Sequence, residues 1–154
     1  MLIQVGAKLG YTPWAIDEIP FSEKPTMVIG IDSYGKAGPN SSQVMALVAT
    51  TDDNFSTYWS KSDFSKKDYG MEEFVGVYLK KALEFFRDKN DVLPCRLIVF
   101  REGVSWGQRA KIKESEISGI RKIMADFSSE QKMSLVYVCV SKISNAKFFY
   151  SQNK

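Results

Sequence analysis

Two short apolar segments decide the fold of this chain: Thr26-Met-Val-Ile-Gly-Ile-Asp32 and Cys95-Arg-Leu-Ile-Val-Phe-Arg-Glu-Gly103. Each has the length of a β-strand, and each ends in a carboxylate, Asp32 in the first and Glu102 in the second. Hard divalent cations take oxygen ligands, and like charges do not cluster without a compensating ion. Two strands that each deliver an acid at the carboxyl end therefore indicate a shared cation site and phosphodiester chemistry, or a relic of it.

The rest of the chain alternates between the periodicity of strands and that of helices. Apolar residues and turn signals predict five strands, over 26–32, 44–50, 55–60, 95–101 and 135–140. Helical spacing runs from Met71 to Phe86, and a second helix is expected from about Ser105 to Phe127. The buried stripe expected for that second helix contains Ile112, Ile117, Ile120, Met124 and Phe127. The predicted order is β-β-β-α-β-α-β.

This order favours one sheet topology. Connections through helices favour parallel neighbours and right-handed crossovers. In the most economical α/β sheet, the first strand lies in the centre. The second and third strands continue from it on one side as an antiparallel meander. The fourth and fifth strands lie parallel on the other side, and helices cover both faces. Asp32 and Glu102 then emerge side by side at the edge where ligand sites of open sheets lie. This is the ribonuclease H-like arrangement, in which acidic residues bind divalent ions.

The amino-acid composition limits the classes of function that this chain can have. The chain has 154 residues, enough for one domain or part of one, and its net charge of +3 is compatible with nucleic-acid contact without demanding it. It contains no histidine, which excludes His-dependent triads and His-ligated zinc sites within this chain. Cys95 and Cys139 lie in apolar runs, as small buried residues in a reducing compartment do. We expect no secretion signal and no membrane span.

Four stretches together carry a family resemblance. They are Lys8-Leu-Gly-Tyr-Thr-Pro-Trp14, Thr26-Met-Val-Ile-Gly-Ile-Asp-Ser-Tyr34, the segment from Leu93 to Gln108, and Val140-Ser-Lys-Ile-Ser-Asn-Ala-Lys-Phe-Phe149. In this order and spacing the chain resembles the Piwi domain of Argonaute and Piwi proteins, over nearly its whole length. Pro13, Pro20 and Pro25 indicate an irregular lead-in segment at 1–25, and the resemblance implies a partial, truncated Piwi domain at 26–154. It also implies small guide RNA and target RNA as partners, an intracellular place in cytoplasm or nucleus, and a monomer or part of a longer chain.

The resemblance implies catalytic and metal-binding roles for acidic residues. Asp32 falls on the family's first catalytic aspartate, and Glu102 falls where active members usually carry aspartate. Together they would hold Mg²⁺ or Mn²⁺. Glu72, after Gly70, lies where the family places a mobile glutamate that completes the metal site, and Glu73 is the alternative.

The resemblance also implies nucleic-acid contacts for three lysines. Lys8 falls on a lysine that helps hold the 5′ phosphate of the guide. Lys142 and Lys147 belong to the last of the four stretches and are expected to contact the nucleic-acid backbone. Lysine at 147 keeps the charge of the arginine that is common there but loses its bidentate recognition of phosphate.

The chain departs from the family pattern where catalysis would be affected. Glu102 is one methylene longer than aspartate, and Mg²⁺ demands near-ideal octahedral geometry. The family's last metal ligand, an aspartate or histidine, lies downstream of the stretch that ends at Lys154.

Three functions stay open: guide and target binding in small-RNA silencing with slicing lost or incomplete, an active metal-dependent endoribonuclease within a longer chain, and a non-enzymatic interaction module.

Each candidate residue also has a purely structural interpretation. Asp32 would serve as an ordinary turn residue at the end of a strand, and Glu102 as a surface carboxylate. Glu72 would be a first-turn acid favoured by the helix dipole. Lys8 would be a solvated surface lysine. The spatial relation between Asp32 and Glu102 therefore decides whether the site interpretation holds.

Overall fold

The computed structural model describes residues 2–17, 19, 23–35, 43–65, 70–102, 107, 109–141 and 147–149. Its elements, in chain order, are helix α1 (Leu2–Lys8), strands β1 (Thr26–Tyr34), β2 (Val44–Thr50) and β3 (Tyr58–Phe64), helix α2 (Met71–Asn90), strand β4 (Arg96–Glu102), helices α3 (Arg109–Glu114) and α4 (Glu116–Asp126), and strand β5 (Ser134–Val140). Within these ranges, none of the helices combines the length and the apolar character that crossing a bilayer requires.

The five strands form one mixed sheet in the order β3-β2-β1-β4-β5. β1 pairs antiparallel with β2 and parallel with β4, and β5 lies parallel beside β4. The predicted topology, with β1 in the centre, is therefore confirmed. Because β1, β4 and β5 run in the same direction, their carboxyl ends meet at one edge and their amino ends at the opposite edge. We call these the carboxyl edge and the amino edge.

Side-chain alternation gives the sheet one face that is packed against helices, the covered face. Its central residues include Ile29, Leu47 and Val99, all 0% exposed. They share one apolar cluster with residues of α2 and α4, the two helices that also contact each other. Burial of such side chains supplies most of the free energy that favours folding, at about 25 cal/mol per Å² of apolar surface. The covered face is therefore the core of the protein.

The opposite face, which we call the open face, carries no helix in the described part of the chain. It presents Phe100 of β4, 43% exposed, and Val136 of β5, 47% exposed. Of the helices that the structure describes, α2 and α4 lie side by side on the covered face. Although β5 is apolar throughout, it is not buried on both sides, because alternate residues such as Val136 are exposed on the open face.

The third strand begins at Tyr58, not at residue 55 as predicted. The residues before it form a turn around Asp52, whose carboxylate accepts hydrogen bonds from the backbone N–H groups of Ser56 and Thr57. Phe55 in this turn has a φ of 52°, which no strand residue adopts. Burial would raise the pKa of the Asp52 carboxyl, but the hydrogen bonds from Ser56 and Thr57 outweigh it and hold the pKa below its usual value.

Two helical predictions also need correction. The lead-in segment was expected to be irregular, yet it contains α1. The second long helix is divided at Ser115 into α3 and α4. The buried stripe also differs from the prediction: Ile112, Ile120 and Phe127 are buried as predicted, but Ile117 and Met124 are only half-buried, whereas Glu116 and Ile123 are buried.

Candidate functional site

Asp32 and Glu102 lie on neighbouring strands at the carboxyl edge. The parallel register of β1 and β4 pairs Ile31 with Arg101, so Asp32 and Glu102, the residues that follow them, stand opposite each other. Neighbouring strands are about 4.8 Å apart, and residues at paired positions project from the same face. Both acids line one depression of about 360 Å³ on the open face. The structure thus brings together the two acids that the sequence associates, while the ion they would hold stays a prediction.

The surroundings of the two carboxylates are mainly apolar. The floor and walls of the depression are formed by Gly30, Ala46, Val48, Phe100 and Val140, with the backbone of Ile31. Asp32 is exposed and its Oδ1 accepts a hydrogen bond from the N–H of Ser33 at 2.7 Å, whereas Glu102 is half-buried. Apolar walls reduce local screening and so strengthen the attraction of the two acids for a cation.

The donor chemistry fits Mg²⁺ or Mn²⁺ as a partial site. Magnesium in proteins is commonly held by one or two carboxylates, with waters and substrate phosphates as its other ligands. Asp32 and Glu102 supply two carboxylates. Among the residues that the structure describes, no group of three or more His, Cys, Asp or Glu side chains is placed to hold a metal ion. The predicted third acid, Glu72, therefore does not join the pair in this arrangement.

Glu72 and Glu73 lie in the first turn of α2, which packs on the covered face. Glu73 Oε2 accepts a hydrogen bond from the N–H of Gly70 at 2.9 Å and so caps its own helix. Glu72 is exposed, and neither acid lines the depression that contains Asp32. The favourable interaction of an acid with a helix N-terminus accounts for their position. A metal-binding role for Glu72 stays a prediction.

Of the three lysines that were predicted to contact nucleic acid, two lie within the described residues. Lys8 is the last residue of α1, and Lys147 is exposed beyond β5, whereas Lys142 lies outside the described residues. A hydrogen bond of 2.8 Å between the hydroxyls of Thr12 and Ser56 joins the lead-in segment to the turn between β2 and β3. That turn lies at the amino edge, opposite the acids. The contacts proposed for these lysines stay predictions.

A buried polar network lies beneath the acidic pair, on the covered face. Arg101 Nε donates a hydrogen bond to Glu116 Oε2 at 3.2 Å, and the Tyr137 hydroxyl donates to the same oxygen at 2.8 Å. Arg101 Nη1 also donates to the backbone carbonyl of Glu102. The side chains of Arg101 and Glu116 are only 8% and 7% exposed. The guanidinium therefore connects α4 to the end of β4 that carries Glu102, and the Glu116 carboxylate connects both to β5.

The network depends on the ionisation state of each member. Burial first, and then the neighbouring Glu116 carboxylate, raise the pKa of the Tyr137 hydroxyl, which therefore keeps its proton and donates it. A buried ion pair is stable only as a pair, because removing one member leaves an uncompensated charge in a poorly solvated place. Arg101, Glu116 and Tyr137 therefore form one unit that holds the strand end in place.

This network was not predicted from the sequence, although a signal for it is present. The alternation of β4 that turns Leu97 and Val99 inward also turns Arg101 inward. Glu116 stands four residues before Ile120, on the apolar stripe of its helix. A charged residue at an inward position requires a buried partner. Two such residues of opposite charge, one on a strand and one on the following helix, would have predicted the ion pair.

Comparison with known proteins identifies relatives along the whole chain. The family model described as the Piwi domain matches residues 1–154. Piwi-like protein 1 of Schmidtea mediterranea is 34% identical over 150 residues, which are 96% of this chain and 18% of that protein. Piwi-like protein Ago3 of Bombyx mori is 32% identical over 149 residues, 97% of this chain and 16% of that protein. The chain thus spans less than a fifth of the length of these curated relatives.

Solved structures share the fold. Kluyveromyces polysporus Argonaute, determined with a guide RNA, matches with a TM-score of 0.72 at 19% identity, over 91% of this chain and 17% of that one. Drosophila Piwi matches with a TM-score of 0.70 at 28% identity, over 89% of this chain and 18% of that one. The mixed sheet is therefore the ribonuclease H-like sheet of Argonaute Piwi domains.

Proposed function

This chain belongs to the Piwi domain family, and from that premise we propose that it binds guide and target nucleic acid in small-RNA-guided silencing, with slicer activity lost or incomplete. The observation that supports the proposal best is the pair of acids, Asp32 and Glu102, in one depression at the carboxyl edge. A related Argonaute has been solved with a guide RNA. The proposal includes an intracellular place, in cytoplasm or nucleus, and action as a monomer or within a longer Argonaute or Piwi chain.

The chemistry proposed for the site is the holding of a phosphodiester beside a divalent ion. When bound, Mg²⁺ or Mn²⁺ would neutralise phosphate charge and activate water. Asp32 and Glu102 would hold the ion, and the apolar floor with Phe100 and Val48 would limit the access of other water. Arg101 would keep the backbone of Glu102 in position from the covered face. These tasks require only that the acids stay ionised and near each other.

Weak or absent cleavage is proposed because of the residue at position 102. The additional methylene of glutamate displaces the carboxylate by about a bond length, and Mg²⁺ tolerates little departure from octahedral geometry. Binding of a phosphate backbone depends on charge and is far less sensitive to such a displacement. The proposal is therefore nucleic-acid binding in the first place. The second candidate is an active divalent-metal-dependent endoribonuclease within a longer chain, which the adjacency of the two acids favours.

The experiment is a binding measurement by fluorescence anisotropy, with a labelled, 5′-phosphorylated single-stranded RNA and the 154-residue chain. Affinity should fall as salt rises, because backbone contacts release counterions. Mn²⁺ should strengthen binding, and the double variant Asp32→Asn/Glu102→Gln should lose the Mn²⁺-dependent part. Asp53→Asn is the control for loss of a negative charge, since Asp53 is exposed in the turn at the amino edge.

The outcomes separate the functions that stayed open. Absence of RNA binding at low salt would leave only a non-enzymatic interaction module. Magnesium-dependent cleavage of guide-matched RNA that disappears in Asp32→Ala would establish the second candidate instead. An equal loss of the Mn²⁺ effect in Asp53→Asn would show that the acidic pair is not the ion site.

A further inference from the structure

The amino edge carries a group of cations that the acidic site does not explain. Lys24 stands two residues before β1, Arg96 is the first residue of β4, and Lys132 stands two residues before β5. Because these strands are parallel neighbours, with Thr26 opposite Arg96 and Arg96 opposite Ser134, the three cations come to one edge. All three line a single depression of about 420 Å³. We propose that this depression binds a phosphate group.

Main-chain hydrogen bonds fix the spacing of the segments that carry these cations. The N–H of Cys95 donates to the carbonyl of Pro25 at 2.8 Å, and the N–H of Ser134 donates to the carbonyl of Cys95 at 2.8 Å. The Gln131 side chain donates to the carbonyl of Lys132 at 3.1 Å and so steadies the segment before β5. A site whose backbone is already ordered loses less conformational entropy when a ligand binds.

The charge of the depression favours an anion. Cys95, Gln131, Met133 and Ser134 complete its lining, so that none of the described residues that line it is acidic. Three like charges at one place repel one another, and an anion between them removes that cost. All three cations supply positive charge; Lys24 and Lys132 are exposed, whereas Arg96 is half-buried.

Phosphate fits these groups better than a carboxylate does. A guanidinium presents a planar fork of donors that binds two oxygens of a phosphate at once, and lysine ammonium groups bind the remaining oxygens as point charges. The phosphate has two possible sources, the backbone of a nucleic-acid strand and a small phosphate monoester. The first source rests on the proposed function, whereas the phosphate site itself does not. The depression is open to solvent along the amino edge, which admits either source.

The test is an NMR titration of the 154-residue chain with inorganic phosphate, with chloride used to hold ionic strength constant. The backbone amide signals of Cys95, Lys132 and Ser134 should shift and saturate. The amide of Ser33, at the carboxyl edge, should not shift. Absence of a saturable shift at the amino edge would overturn the proposal.

Charge-matched variants separate the site from the general positive charge of the chain. Lys24→Gln/Lys132→Gln removes two exposed lysines of the depression, and Lys80→Gln/Lys122→Gln removes two exposed lysines of the helices. The first variant should weaken phosphate binding about tenfold, and the second less than about twofold, as expected for two exposed ion pairs. Equal weakening in both variants would refute a specific site.

A second titration identifies the source of the phosphate. If single-stranded RNA shifts the same amides and inorganic phosphate competes with it, the ligand is a strand. If adenosine monophosphate shifts them and RNA does not, the ligand is a small phosphate compound, and the site stands without the proposed function. Loss of RNA binding in Asp32→Asn/Glu102→Gln alone concerns the proposed function and leaves the amino-edge site intact.

Discussion

The two faces of the sheet are built from the same strands but differ in what covers them. Val99, on the covered face, is 0% exposed, whereas Val136, on the open face of the neighbouring strand, is 47% exposed. The acids differ in the same way: Glu116 is buried against Arg101, and Asp32 is exposed in a depression. Residues of the same type therefore have different roles on the two faces of the sheet. Carboxylates on the covered face hold the structure together, and those on the open face are accessible to a ligand.

The largest expected effect comes from breaking the buried ion pair. Glu116→Ala should reduce the free energy of unfolding by about 3–5 kcal/mol, because it leaves Arg101 charged and buried without its partner. Urea denaturation followed by circular dichroism measures the change. The double variant Arg101→Leu/Glu116→Leu should recover much of the stability, because it removes both charges. A cost below about 1 kcal/mol for Glu116→Ala would mean that the pair is solvated and that the faces differ less than their burial indicates.

A pair of valines tests the contrast between the faces directly. Val99→Ala should cost about 2 kcal/mol of unfolding free energy, because it removes two buried methyl groups and leaves a cavity in the core. Val136→Ala should cost less than about 1 kcal/mol, since its side chain is nearly half-exposed. The same denaturation experiment measures both. Equal costs would show that the open face is covered in solution, for example by association between copies of the chain.

Ionisation of the Tyr137 hydroxyl should reduce the stability of the folded protein at alkaline pH. The pKa of this hydroxyl is raised in the folded protein. Its contribution to stability is therefore fully present below the unfolded-state pKa of about 10 and is lost as the pH rises above that value. Tyr137→Phe should cost about 1–2 kcal/mol at neutral pH, through the lost hydrogen bond to Glu116. The stability difference between the two proteins should shrink above about pH 10. A difference that stays constant with pH would show that the hydroxyl is not coupled to the ion pair.

The smallest expected effect is on the open face. Asp32→Asn should change the free energy of unfolding by less than about 0.5 kcal/mol, because the side chain is exposed and asparagine can still accept the hydrogen bond from Ser33. The thermal midpoint without divalent ions provides the measurement. A large loss of stability would assign Asp32 a structural role and would weaken the site interpretation.

Several features of the fold were predictable because they follow from local pattern and simple chain geometry. The order β3-β2-β1-β4-β5 followed from strand periodicity and from helical crossovers between parallel strands. The adjacency of Asp32 and Glu102 followed from the same topology. The boundaries were less predictable: hydrogen bonds to the Asp52 carboxylate delay β3 until Tyr58, and the second long helix is divided at Ser115.

By itself, the sequence determined the strands, their order and the position of one acid at the end of each of two neighbouring strands, because these depend on periodicity and on the direction of the chain. Only the tertiary structure decided which face α2 and α4 cover, which partner Arg101 finds, and that Lys24, Arg96 and Lys132 line one depression. The reason is physical. Alternation tells which residues share a face, but burial and charge pairing depend on contacts between segments that are distant in the chain.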